Sequence, residues 1–389
     1  MTQSKRFLTV GSFLRPEPLL AYKRQIEARD DISYPFYDDL PDYLECENES
    51  VKEIVNQQIA AGLPEITDGE YARSLWHLDF IWGLKGVRRY IADHGYFFEG
   101  DQKSQEYNYE TRKDIGIEIT VPLSGQDHPF IQHFKRTKDL AKGQAVVKLT
   151  IPSPSHVYGE LSLNPATYLK AYPDQSSFRN GLAQAYREFL KEYREAGGTI
   201  IQFDDCLWGM FAEDNPNSFL NRDELSQTDI EAIAQSFVDL NNEIIAAAHD
   251  LDLKVYTHNC RGNYASRNAG AGSYTEVSNF FLKRQNYDRF FLEWDDERAG
   301  DLSALEAFRD KPETEVVLGF LSSKTSGLEN EAAILDQLQE ACQYIPKDRL
   351  YLSHQCGFAS CDGGNELSQD QEWAKIKQGQ EIAYKFWGE

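Results

Sequence analysis

The chain has 389 residues, of which 41% are hydrophobic and 26% charged; that is an ordinary globular balance, with enough apolar material for a large core. Its formal net charge of −23 repels phosphate backbones and anionic lipid, so nucleic acid and membrane surfaces are excluded as favoured partners. No stretch approaches the roughly 18 apolar residues of a membrane span, and the opening MTQSKRFLTV has no apolar run of signal-peptide length, so a soluble cytoplasmic protein is expected.

Taken in chain order, the first strand-like run is RFLTVG at 6–11, which leads into Gly11 and Ser12. The second, PEITDG at 64–69, leads into Asp68 and Glu70. From about residue 71 to 144 the pattern changes. Two alternating runs flank a polar middle in GYFFEGDQKSQEYNYETRKDIGIEITVPLSG, which predicts a helix and then an antiparallel hairpin, inserted after the second strand. The third run is AVVKLTI at 145–151. The amphipathic stretch 178–197, closed by Gly197, precedes the fourth run, TIIQFDD at 199–205. A second amphipathic stretch, 229–250, follows an SQTD cap region and precedes KVYTHN at 254–259. The last runs are RFFLEW at 289–294, EVVLGFL at 315–321 and RLYLSHQC at 349–356.

Each run is almost continuously apolar and of strand length, which suits strands buried on both faces of a parallel sheet. Alternation of such strands with helices predicts a (β/α)8 TIM barrel as a single domain over 1–389, with the insertion at about 71–144. A doubly wound open sheet is the alternative. No G-x-G-x-x-G follows the first strand, which disfavours its dinucleotide-binding form.

Polar and thiol residues gather at the C-terminal ends of these runs, the rim where barrel enzymes carry their chemistry. They are Gly11 and Ser12, Asp68 and Glu70, Asp204 and Asp205, His258 and Cys260, Glu293, and His354 and Cys356. His258 and Cys260 are two apart, so in extended backbone both side chains face one side. The pair alone is a weak metal signal. With Glu293 and Cys356 on other strand ends it becomes an imidazole, two thiolates and a carboxylate, a set that favours zinc over magnesium or calcium. Such ligands, spread over roughly a hundred residues, argue against a local structural zinc. The six cysteines are too sparse for a disulfide framework. Cys46, Cys206, Cys342 and Cys361 read as small buried hydrophobes.

These pieces resemble the catalytic half of cobalamin-independent methionine synthase. The resemblance rests on VGSF, DGE, IQFDD, THNC, LEW and QCGF, which span nearly the whole chain. DGEYARSLWHLDF and LSHQCGFAS are similar to the short, single-barrel members. The resemblance implies a zinc-dependent methyl transfer to the thiol of homocysteine, forming methionine. It implies Zn2+ on His258, Cys260, Glu293 and Cys356. Gly11 and Ser12 would receive the homocysteine carboxylate, and Glu70 and Asp204 its ammonium. The partners implied are homocysteine and a methyl donor; assembly as a homo-oligomer is left open.

The sequence departs from the family on the donor side. The third strand runs into IPSPS rather than the family's stacking aromatic. DDCLWGM has Trp208 and Met210 where a glutamate is expected, and GFLSSKTSG lacks the family's proton-donating histidine. His354 is the nearest substitute as a catalytic residue, and a packing role for it is as good a reading. Alkyl transfer from a non-folate donor, such as a methylcorrinoid or a sulfonium, or to a different small thiol, is the alternative.

Overall fold

The computed structural model describes residues 4–99, 108–211, 220 and 223–388. Strands Leu149–Pro152, Ile200–Asp204, Lys254–Asn259, Arg289–Glu293, Glu315–Leu321 and Leu350–His354 form one parallel sheet in sequence order. Nearly every residue in them is buried, as their continuous apolar character requires. The register sets Asp204 opposite His258, Leu292 opposite Asn259 and Leu321 opposite His354.

The first two runs extend this sheet at its ends. Phe7 bridges to Leu352 in parallel, with Leu8 N donating to Leu352 O and Leu352 N to Arg6 O, both at 2.9 Å. Glu65–Ile66 pairs in parallel with Val146–Val147, which continues through Lys148 into the strand Leu149–Pro152. Between the first and second runs no strand ladder forms among the described residues. The Thr67 hydroxyl donates to Gly11 O at 2.5 Å, and Phe13 N to Gly69 O at 3.1 Å.

Leu8, Val10, Ile200, Tyr256, Phe291 and Val317 form a buried cluster of their own, separate from the larger core. Lys148 reaches across from the third run: its Nζ donates to Thr9 O and Gln202 Oε1, both at 2.7 Å, beneath the Phe291 ring.

Outer helices are started by side chains suited to it. Capping boxes at Asp174, Ser226 and Ser368 open Gln175–Glu195, Gln227–His249 and Gln369–Trp387. The first of these presents Phe178, Leu182, Tyr186, Phe189 and Tyr193 to the core. Between the second and third runs lie a short helix, Leu78–Gly83, and an antiparallel pair, Lys85–Tyr90 with Gly116–Ser124. A smaller pair, Phe97–Phe98 with Tyr109–Glu110, and the helix Pro129–Ala141 complete this segment. The expected hairpin middle at 100–107 lies outside the described residues.

Glu372 on the last helix is 1% exposed. One carboxyl oxygen accepts Leu14 N at 3.0 Å, and the other has no hydrogen-bond partner. Burial pushes its pKa well above the usual carboxylate range, against the Leu14 N–H. A raised acid contributes stability below its unfolded pKa, about 4.3, and that contribution is lost as pH rises toward the folded value. Glu372→Gln is therefore expected to raise the melting temperature at pH 7 and to lose that advantage near pH 4. A thermal scan showing the same difference at both pH values would refute this.

Candidate functional site

The strand ends named above open on a cavity of ≈480 Å³. Ser12, Glu70, Asp204, His258, Cys260 and Cys356 all line it. Nitrogen and sulfur donors of His258, Cys260 and Cys356 lie within 4.8 Å of one another, and all three residues are buried. Cys356 Sγ is 4.0 Å from Cys260 Sγ; tetrahedral zinc holds two thiolate sulfurs about 3.8 Å apart, so these side chains fit such an ion. His258 is fixed from both sides, with Nε2 2.9 Å from Gln355 O and Nδ1 3.5 Å from Asp204 Oδ1.

The charges in this group are coupled. Burial disfavours the His258 imidazolium, but Cys356 and Asp204 outweigh it and hold its pKa well above the usual histidine range. The Cys356 thiol is held well below its usual range by the Cys260 S–H and, against burial, by His258. One thiol thus already favours its anion, the form that binds a metal.

Glu293 is not in this three-residue group. Its Oε2 accepts Arg261 N at 2.7 Å, and its Oε1 lies 3.6 Å from Lys324 Nζ. It therefore adjoins Cys260 through the next residue, with a lysine as its ionic neighbour. Lys324 occupies the loop where the resemblance calls for a histidine.

Glu70 is buried at positive φ (+60°), an uncommon conformation for a non-glycine residue. Its Oε1 accepts the Thr150 hydroxyl at 2.6 Å and lies 3.4 Å from Arg73. Burial raises its pKa, Arg73 opposes and Asp204 adds to the rise. Asp204 Oδ1 also accepts Gln202 Nε2 at 2.7 Å. Gly11 sits against Glu70: a Cβ there would come within 3.0 Å of its Oε1. Ser12 Oγ accepts Ala359 N at 3.2 Å and lies where a Cβ on Gly357 would be, so that glycine permits the approach. Arg15 is buried beneath this loop and donates to the carbonyls of Glu70, Arg73, Ala359 and Cys361.

His354 does not line the cavity. It is 2% exposed, neither ring nitrogen has a hydrogen-bond partner, and its ring packs against Phe7 and Phe358. Burial holds its pKa down to about 3, so the ring is neutral at ordinary pH. These surroundings suit the packing reading.

Several cavity residues went unrecognised in the sequence. Cys206, read there as a small buried hydrophobe, is half-buried with its Sγ 3.3 Å from Cys260 Sγ. His156 and Glu160 also line the cavity, beside Trp76, His77 and Tyr96. Their signal was present as a His and Glu four apart, one face of a helix.

No family model matches the chain. The uncharacterised Bacillus subtilis protein YxjH is 34% identical over 378 residues, covering 97% of this chain and 93% of YxjH. A Listeria monocytogenes structure, assigned to the vitamin-B12-independent methionine synthases, superposes with TM-score 0.70 at 28% identity over 100% of this chain and 99% of that one. The chain belongs to the cobalamin-independent methionine synthase family. A further family structure, a B12-independent methionine synthase from Shewanella in complex with selenomethionine, shares the fold at TM-score 0.66 and 19% identity, covering 98% of each chain. Residues of VGSF, DGE, THNC and QCGF, namely Ser12, Glu70, His258, Cys260 and Cys356, gather at one cavity. Among the described residues no helix is long and apolar enough to cross a membrane.

Proposed function

We propose that this protein is a zinc-dependent methyltransferase that transfers a methyl group to the thiol of homocysteine and forms methionine. The convergence of His258, Cys260 and Cys356 beside the carboxylates of Glu70 and Asp204 carries this reading. On it, the eight parallel segments form a closed (β/α)8 barrel, one domain over 1–389 with an insertion at about 71–144. The inward cluster around Phe291 and the Lys148 bridge to Thr9 support that closure. The Shewanella relative's ligand, selenomethionine, is the selenium analogue of the proposed product.

His258, Cys260 and Cys356 would hold zinc, with Glu293 as the exchangeable fourth ligand. Bound zinc supplies the Lewis acidity that keeps a coordinated thiol as thiolate at neutral pH. The chain's own residues orient the amino acid. Glu70 and Asp204 together form an acceptor pair for its ammonium, and such charge-assisted hydrogen bonds are the strong kind. The Gly11–Ser12 turn receives its carboxylate. The substrate sulfur then attacks the methyl carbon in line, a C–S bond forms, and the bond from carbon to the donor breaks. The leaving group departs with that electron pair and takes a proton if it is basic. The reaction needs reduced thiols at 260 and 356, which are free in the structure, so a cytoplasmic setting fits.

Glu70→Gln is expected to raise the homocysteine KM by about 10- to 100-fold, from the roughly 1.5–3 kcal/mol of a hydrogen bond to a charged group. An unchanged KM would remove Glu70 from ammonium binding. The reading as a whole is tested by a homocysteine methylation assay across folate, corrinoid and sulfonium donors, with zinc measured on the same sample. A zinc-free protein that still made methionine would overturn it. The alternative, a non-folate donor, is favoured by one observation: the cavity wall carries His156 and Glu160 after the third strand beside Trp76 and His77 after the second, a polar, ligand-type surface in place of a stacking aromatic after the third strand.

A further inference from the structure

Outside the thiol cluster, a second set of ligand-type side chains lines the same cavity. Nε2 of His77 lies 3.3 Å, and Nε2 of His156 3.7 Å, from Oε2 of Glu160. One donor atom from each of the three residues lies within 4.8 Å of the others. Two nitrogen or oxygen ligands about 2.0–2.1 Å from a tetrahedral ion stand roughly 3.3 Å apart, so the spacing is that of atoms sharing one ion.

The hydrogen bonding agrees. Glu160 Oε2 is buried and accepts no hydrogen bond, although an imidazole nitrogen lies 3.3 Å away. The same His77 Nε2 lies 3.3 Å from the Tyr96 hydroxyl oxygen, so its hydrogen bond goes there and not to Oε2. Among the described residues, no lysine or arginine pairs with Glu160. The carboxylate as a whole is only half-buried, but this inaccessible oxygen is left with its charge unmatched by a hydrogen bond.

The frame around these atoms is built. His156 and Glu160 are one turn apart on the helix Pro154–Ser162, whose first turn is fixed by the Ser153 cap. His77 precedes the helix Leu78–Gly83. Tyr96 donates its hydroxyl to Glu160 Oε1. The Trp76 ring lies 4.6 Å from the His77 ring and 4.9 Å from the His156 ring, centroid to centroid.

We propose that His77, His156 and Glu160 bind a divalent transition-metal ion, separate from any ion on the thiols. Two histidines and one carboxylate are a borderline donor set suited to zinc, iron(II), cobalt or manganese, and they leave coordination positions free. Those positions adjoin the cavity, so an oxygen or nitrogen of a second substrate can complete the shell. This site goes beyond the methyl-transfer reading and does not depend on it.

The test uses the full chain, stripped by a chelator and titrated with Co2+. Stoichiometry is followed by calorimetry, and thiolate ligation by the thiolate-to-cobalt charge-transfer absorption. Wild type is expected to bind two equivalents. His156→Ala and Glu160→Gln should each bind one and keep the charge-transfer band. Cys356→Ser should bind one and lose the band. Glu160→Gln keeps the side chain's size and carries the comparison if His156→Ala does not fold. The site is refuted if wild type binds one equivalent with the full band, or if Glu160→Gln binds as many ions as wild type. A single equivalent without the band, lost in Glu160→Gln, would support this site and sink the thiol centre instead.

Discussion

Cys356→Ser is expected to strip zinc from the thiol centre and to lower methionine formation on the order of 10³-fold, the several kcal/mol that metal activation of a nucleophile supplies. A serine hydroxyl keeps its proton at neutral pH and is a poor zinc ligand. Cys356 is also the thiol that His258 and the Cys260 S–H already bias toward the anion, so its loss removes the most prepared ligand. Cys260→Ser should act in the same direction. Cys206, with its sulfur 3.3 Å away, offers a nearby substitute there, so its metal loss should be the smaller of the two. Cys206→Ser alone should keep the metal. Metal analysis of purified variants alongside initial rates decides this. Full zinc and activity in Cys356→Ser would sink the proposed centre.

Much of this rim was legible because a parallel α/β sheet delivers strand ends to one face, and the strand runs are almost continuously apolar. Asp204 and His258 stand opposite each other in the register, and Cys260 follows at the spacing that keeps one side. What the sequence hid depends on geometry finer than strand order. His354 is also two residues from Cys356, yet it packs between Phe7 and Phe358. The register with the neighbouring strand shifts between Leu318 and Leu321, where Gly319 lets the Gln355 backbone approach closely. The chain therefore does not continue as a regular strand from His354 to Cys356, and the two-residue rule fails there. Cys206 was misjudged because a lone cysteine carries no signal of its neighbour 54 residues on. The group at His77, His156 and Glu160 was not legible as a group because His77 follows the second strand, whereas His156 and Glu160 sit on the helix after the third. Neither edge run forms a full ladder with the other, since the Thr67 side chain, rather than its backbone, meets Gly11.

The largest stability effect is expected at Asp114, which lies in none of the motifs. It is 1% exposed, and its two oxygens accept Arg89 NH2 at 2.6 Å and Arg112 Nε and NH2 at 2.5 and 2.7 Å. Arg89 lies on the antiparallel pair and also donates to the carbonyls of Ile26 and Arg29. Arg112 also pairs with Asp362, in the loop after the last strand. One carboxylate thus ties the segment between the second and third strands to the N-terminal helix and to the rim. Removing one partner of a buried ion pair leaves uncompensated charge and costs about 3–5 kcal/mol. Asp114→Ala strands two buried guanidiniums, with Asp362 left to serve only Arg112, and belongs at the upper end of that range. Arg89→Met should cost less, because it removes a charge together with its desolvation and leaves the Arg112–Asp114 pair intact. Urea denaturation of the three proteins tests the order. A loss below about 1 kcal/mol in Asp114→Ala, the scale of a surface pair, would show that water reaches this network and that it does not anchor the segment to the rim.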